Sequence, residues 1–130
     1  MANNHPEVLQ GTLDVMILSV LQRQPLHGYG IAREIERRSG AVLTIEEGSL
    51  YPALHRMTKR GNLTAEWRTN DTGRRARFYR LTADGKRRLV EQSELWDTLS
   101  AAVTRVVHGE AGEVVRPLVR AQASLRLGME

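Results

Sequence analysis

Two short alternating segments separated by a turn constrain the fold of this chain more than any other feature. In "LTAEWR", Leu63, Ala65 and Trp67 share one face, and in "RRARFYRLT", Tyr79 and Leu81 share one. The "TNDTG" between the two segments has the residue types that form tight turns. Alternation on both sides of such a turn predicts a β-hairpin. Because the other segments have helical periodicity, the sequence predicts a mainly α fold with one small β-hairpin.

Three helices are predicted before the hairpin. Residues 10–22 are apolar nearly all round, which is typical of a helix inside a core or a dimer contact. Residues 28–39 have an apolar stripe and a polar face, and "AVLTI" at 41–45 predicts a short strand. The third helix has its buried stripe at i, i+4 and i+7, formed by Leu50, Leu54 and Met57.

Two starts compete for the third helix. Thr44 with Glu47 fits a capping box, but this start would bury Pro52 deep in the helix at a cost of roughly 3 kcal/mol. Ser49 as the cap places Pro52 in the first turn, where its missing N–H is no loss. We favour Ser49. The helix start would then point backbone N–H groups at an anion, with the hydroxyls of Ser49 and Tyr51 as further donors.

A long helix is predicted from Thr82 or Ala83 to Val107, with Thr82 as a possible cap. Its apolar residues recur at spacings of three and four, which resembles a coiled-coil seam. The interface residues predicted from this seam are Leu89, Trp96, Leu99 and Val103. Trp96 could pack at a dimer interface, or it could line a gap that takes a flat aromatic or cationic ligand. The tail at 108–130 could be a short helix or a frayed end.

Positive charge is concentrated in one quarter of the chain. The whole chain carries a net charge of +4, whereas the window 56–88 contains eleven Lys or Arg and three acids, a net of +8. Phosphates attract such clusters. We therefore predict DNA contacts from the third helix and from the hairpin tip, made by His55, Arg56, Lys59, Arg74, Arg75 and Arg77.

The order of elements predicts a winged helix-turn-helix at 9–82, followed by a dimerisation helix at 83–107. In that architecture one helix enters a DNA groove and the hairpin reaches sideways as the wing. Architecture and charge placement agree, because the third helix and the hairpin are both basic. The sequence thus indicates a regulator that binds double-stranded DNA.

Four motifs in order resemble the PadR family of winged-helix transcriptional regulators. They are "GTLDVMIL", "HGYGI", "GSLYPALHR" and "GRRARFYRLTADG", and the resemblance covers about 9–107. It implies a dimeric repressor of the short subtype with one C-terminal dimerisation helix, bound to an inverted-repeat operator. It also implies that the third helix is the recognition helix and that Tyr51 holds the DNA backbone. Some family members release DNA on binding phenolic acids or drug-like cations, so a small aromatic or cationic effector is possible.

Other classes of function find little support in the sequence. There is no cysteine, and the four histidines are scattered, so no metal site or cofactor is expected. No catalytic motif is visible, so we expect no enzyme. The apolar run "LDVMILSVL" is too short to span a bilayer, and no signal peptide is evident, which predicts a cytoplasmic protein without a membrane partner. The alternative is a winged helix that contacts protein or RNA without reading DNA.

Overall fold

The computed structural model describes residues 6–109 of the 130-residue chain. Four helices and three strands follow one another in this range. They are α1 (Pro6–Leu21), β1 (Leu26–His27), α2 (Gly28–Arg38), α3 (Glu47–Lys59), β2 (Leu63–Thr69), β3 (Arg75–Leu81) and α4 (Ala83–His108). The strands form one antiparallel sheet in the order β1-β3-β2. The predicted fold class, a mainly helical winged helix with a small hairpin, is confirmed.

The hydrophobic core joins α1, α2, α3 and the sheet. Ile17, Leu18, Ile31, Leu54 and Met57 are completely buried in it. Each helix contributes residues at helical spacing, as the apolar stripes predicted. Buried residues occupy one side of α1, and the partly buried Val15 and Met16 also pack against the core, so α1 contacts α2, α3 and β3.

The hairpin turn is held by one side chain. Asn70 Oδ1 accepts hydrogen bonds from the backbone N–H of Thr72 and of Arg74, each at 3.0 Å. Gly73 has a φ of 84°, a value that side-chain-bearing residues rarely adopt. These hydrogen bonds hold the turn in one conformation and so position Arg74 and Arg75, which follow Gly73. The predicted hairpin is confirmed.

A close contact joins the hairpin to the start of α4. Thr82 caps the helix as predicted, because its Oγ1 accepts a hydrogen bond from the N–H of Gly85 at 3.0 Å. The same hydroxyl donates to the carbonyl of Gly61 at 2.6 Å. A Cβ on Gly85 would lie far inside van der Waals contact with the carbonyl oxygen of Asn62. Only glycine allows the first turn of α4 to approach the backbone before β2 this closely.

Two predictions about the segment before α3 were wrong. Residues 41–45 form no strand; instead Leu26–His27 pair with β3, and they occupy the strand edge opposite β2. Residues 41–45 pair with no strand of this sheet, and Val42 is 79% exposed, so its apolar side chain takes no part in the core. Gly40 and Ala41 both have positive φ values, which turn the chain away after α2.

The start of α3 also differs from both predicted starts. The N-cap is Glu46, whose side chain makes no capping hydrogen bond, so neither Ser49 nor Thr44 caps the helix. Pro52 consequently lies within the second turn. Its missing N–H leaves the carbonyl of Gly48 without a helical partner, and Gly48 is exposed, so water can satisfy that carbonyl.

The described residues fall into two compact units, with the division between Ser93 and Glu94. Leu89 belongs to the first unit and is only 7% exposed, as part of its core. Leu89 therefore has a role inside the domain, which corrects its assignment to the interface seam. In the second unit, Trp96, Leu99 and Val103 are exposed along α4. The predicted tail lies outside the described residues except for its first two positions.

Candidate nucleic-acid interface

The outer face of α3 carries polar and aromatic side chains because its inner face is anchored in the core. Leu50, Ala53, Leu54 and Met57 are buried. The exposed side chains are Tyr51, His55 and Lys59, spaced four residues apart on one face, and Ser49, which lies in the first turn. The structure thus exposes four of the five predicted α3 contacts, with Tyr51, His55 and Lys59 on one face and Ser49 on the side of α3 that faces α1.

Tyr51 is half packed and half exposed. A Cβ on Gly28 would lie 2.6 Å from the Tyr51 hydroxyl oxygen, so the ring packs on the backbone of the first turn of α2. The side chain is nevertheless 44% exposed. Tyr51 therefore helps to fix α3 against α2 and still leaves nearly half of its surface in solvent.

Arg56 is the fifth predicted contact, and its guanidinium is already engaged. Its Nη2 lies 2.6 Å from Oδ1 of Asp14 on α1, and the side chains are 25% and 8% exposed. A nearly buried carboxylate needs such a partner. The ion pair therefore joins α1 to α3, and the predicted DNA contact of Arg56 stays a prediction.

The wing, defined here as β2, β3 and their turn, has two different faces. On one face, Ala65 opposes Tyr79 above the core, and beyond them Trp67 opposes Arg77 and Thr69 opposes Arg75. On the other face, Glu66 lies 3.1 Å from Arg68 and 3.9 Å from Arg80. The second face is thus partly neutralised.

The arginines of the first face and of the turn have no such partner. Within residues 6–109, no carboxylate forms an ion pair with Arg74, Arg75 or Arg77, and all three are exposed. α3 packs against β2 within the same unit, so the two elements that carry these side chains are adjacent. The result is a positive surface on two adjacent elements, which suits a polyanion.

The arginines of α2 are paired instead. Arg37 Nη2 and Arg38 Nε lie 2.7 Å and 2.9 Å from Oε2 of Glu34. Hydrogen bonds from Arg37 and then Arg38 are the main causes that lower the pKa of Glu34 to about 2. The carboxylate of Glu34 therefore offsets part of the positive charge of these two arginines locally.

Sequence reasoning missed two exposed aromatic residues. Tyr29 accepts a hydrogen bond from Arg33 Nη1 at 2.9 Å on α2. Trp67 is 58% exposed although it continues a buried strand face. The alternation showed that Trp67 shares a face with Leu63 and Ala65. It did not show that the core ends at the pair Ala65 and Tyr79, before Trp67. The position of Trp67 close to three arginines at the hairpin tip was the one signal in the sequence that could have indicated its exposure.

Comparison with known proteins agrees with this architecture. The model of the transcriptional regulator PadR-like family matches residues 17–91, more than half of the chain. The chain is therefore a member of a family of transcriptional regulators: it belongs to the PadR-like family. Transcriptional regulator Rv3488 of Mycobacterium tuberculosis is 36% identical over 78 residues, which are 60% of this chain and 69% of that protein.

Solved structures of the family have the same fold. A PadR-like transcriptional regulator from Bacillus cereus superposes with a TM-score of 0.66 at 26% identity, over 80% of this chain and 99% of that one. PadR of Bacillus subtilis in complex with operator DNA superposes with a TM-score of 0.55 at 28% identity, over 62% of this chain and 46% of that one. No helix within residues 6–109 is long and apolar enough to cross a membrane.

Proposed function

We propose that this transcriptional regulator binds double-stranded DNA, with α3 in a major groove and the wing on the adjacent backbone. The observation that carries the proposal is the surface made by the exposed face of α3 and the unpaired arginines of the wing. A groove about 12 Å wide admits one helix, and guanidinium groups beside it reach phosphates. The operator complex of Bacillus subtilis PadR supports this assignment.

The proposed contacts divide by chemistry. Ser49, Tyr51 and the three wing arginines suit phosphates, since hydroxyl and guanidinium groups are the common phosphate donors. His55 and Lys59, further along α3, are the candidates for base edges. Arg56 is assigned to neither group, because a DNA contact would require it to leave Asp14 or to bind both.

The proposal includes a homodimer formed through α4. Trp96, Leu99 and Val103 lie at spacings of three and four and leave apolar surface exposed in a single chain. Burial of this seam against a second copy would remove that surface from water. Two recognition helices about one DNA turn, roughly 34 Å, apart would read an inverted repeat. Such a dimer would act as a cytoplasmic repressor without catalytic activity.

The proposal also includes a small effector that binds at α4. Trp96 is the candidate floor for a small aromatic or cationic molecule, because an exposed indole on a seam can stack on a flat ring. A molecule bound there would change the angle between two α4 helices and release the operator.

A salt titration tests DNA binding directly. The probe is the DNA upstream of the gene for this protein, and affinity is measured over a range of salt concentrations. We expect a steep loss of affinity with salt, because each bound phosphate releases counterions. In Arg74→Ala with Arg75→Ala, the slope should fall by roughly one unit for each phosphate that the variant no longer binds. A DNA affinity that does not change with salt concentration would favour the alternative, a winged helix that contacts other proteins.

A second double variant serves as the control. Arg37→Ala with Arg38→Ala removes the same formal charge from α2, where both side chains form ion pairs with Glu34. We expect its salt slope to stay near that of the unchanged protein. An equal decrease of the slope in both variants would contradict a specific role of the wing, because it would show that only net charge matters.

A further inference from the structure

Trp67 is the largest apolar side chain on the basic face of the wing. Isolated exposed apolar residues are ordinary on protein surfaces, so exposure alone explains nothing. Its surroundings are unusual, however: Arg77 lies directly opposite on β3, and Arg75 is the next residue on the same face. The face therefore combines one apolar ring with two neighbouring arginines that can bind phosphates.

The contact between Trp67 and Arg75 fixes this arrangement. The Arg75 guanidinium carbon lies 5.4 Å from the centroid of the Trp67 ring, within the range of a cation–π interaction. This contact orders the guanidinium of Arg75 on the face where Arg77 also lies. It leaves more than half of the indole open to solvent. The open part is available to a ligand that brings both phosphates and apolar surface.

We propose that Trp67 contacts DNA, with its indole packed against a deoxyribose while Arg75 and Arg77 bind the flanking phosphates. The inference rests on the proposed DNA binding. The sugar is the apolar part of the backbone and lies between successive phosphates, so the three side chains match three consecutive groups of one strand. Because the indole is uncharged, Trp67 adds affinity without releasing counterions.

The test compares variants of Trp67 on a labelled duplex of random sequence. A length of roughly 30 base pairs spans two half-sites one turn apart, and backbone contacts need no particular sequence. Trp67→Ala should bind about tenfold more weakly at every salt concentration, as removal of an aromatic side chain from a nucleotide does, with an unchanged salt slope. Thr64→Ala, exposed on the opposite face of β2, is the matched control and should bind normally.

Two further variants separate contact from positioning. If Trp67 only holds Arg75 in place, Trp67→Ala should not weaken binding further once Arg75→Ala is present. A weakening that persists in the Arg75→Ala background supports the contact, and one that disappears overturns it. Trp67→Thr keeps a β-branched side chain on the strand and serves as the second variant if alanine weakens the wing.

The outcomes also separate this inference from the proposed function. If the unchanged protein does not bind duplex DNA, the proposed function itself fails. If it binds with a steep salt slope and both Trp67 variants bind equally well, the contact of Trp67 is refuted and DNA binding stands. Circular dichroism spectra of each variant are to be compared with that of the unchanged protein, to check that the fold is intact.

Discussion

The ion pair between Asp14 and Arg56 yields an asymmetric prediction for stability. Arg56→Met removes the cation and leaves a carboxylate whose side chain is only 8% exposed. Breaking a fully buried pair typically costs about 3–5 kcal/mol. Because the Arg56 side chain is a quarter exposed, water can enter where the guanidinium was. We therefore expect a loss of about 2–4 kcal/mol.

Replacing Asp14 should lower the free energy of unfolding by less than replacing Arg56. Asp14→Asn keeps the shape and an oxygen that still accepts a hydrogen bond from Arg56. The guanidinium that remains reaches solvent, so its desolvation cost is partial. We expect about 1–2 kcal/mol for this variant. Replacing both residues, as Asp14→Leu with Arg56→Met, should return the free energy of unfolding to within about 1 kcal/mol of the original.

Urea unfolding followed by circular dichroism measures all three variants at one protein concentration, since a dimer's stability depends on concentration. Equal costs for the two single changes would refute the asymmetry argued from burial, and costs below about 0.5 kcal/mol would refute the argument that this pair holds α1 to α3. The same variants decide the role of Arg56 in DNA binding. A stable Arg56→Met with a reduced salt slope would restore it as a phosphate contact.

Four other changes have expected outcomes. Tyr51→Phe should leave unfolding nearly unchanged and weaken DNA binding by something on the order of 1 kcal/mol, whereas a collapse of stability would make Tyr51 a packing residue. Trp96→Ala should give a monomer in sedimentation if the indole packs at the interface; an intact dimer that no longer binds planar cationic dyes would instead place a ligand there. Gly85→Ala should cost at least about 2 kcal/mol through its clash with backbone, while Gly11→Ala, with open space around it, should be neutral or stabilising. The stability difference between the protein and Glu34→Gln should shrink as the pH falls from 4.5 toward 2, because over that range Glu34 is protonated in the unfolded chain while its lowered pKa keeps it charged in the folded protein.

The sequence predicted the elements whose periodicity is long enough to be specific. The 3.6-residue stripes of α2 and α3 and the alternation in β2 and β3 left few alternatives. Thr82 was recognised as a cap because its side chain acts locally. The two-residue strand β1 could not be predicted, since its pairing with β3 depends on tertiary proximity rather than on a pattern.

The incorrect assignment of Leu89 to the interface and the ion pair of Arg56 that the sequence did not predict have related causes. The spacing that placed Leu89 on the α4 seam is correct, but spacing does not show which partner a helix face meets, and Leu89 meets the core of its own domain. Arg56 was assigned by charge alone, although Asp14, 42 residues earlier in the chain, lies within reach of its guanidinium. Both depend on contacts between distant segments, which one sequence does not specify.

The division of the wing into an unpaired basic face and a Glu66-neutralised face limits how its length can vary. Successive residues of a strand point to opposite sides, so one inserted or deleted residue exchanges the two faces beyond that position. A single deletion before Trp67 in β2 would turn that indole toward the neutralised side and bring Arg68 to the other. Wings of this type should therefore tolerate strand length changes in steps of two residues, while single-residue changes should accumulate only in the turn at 70–74.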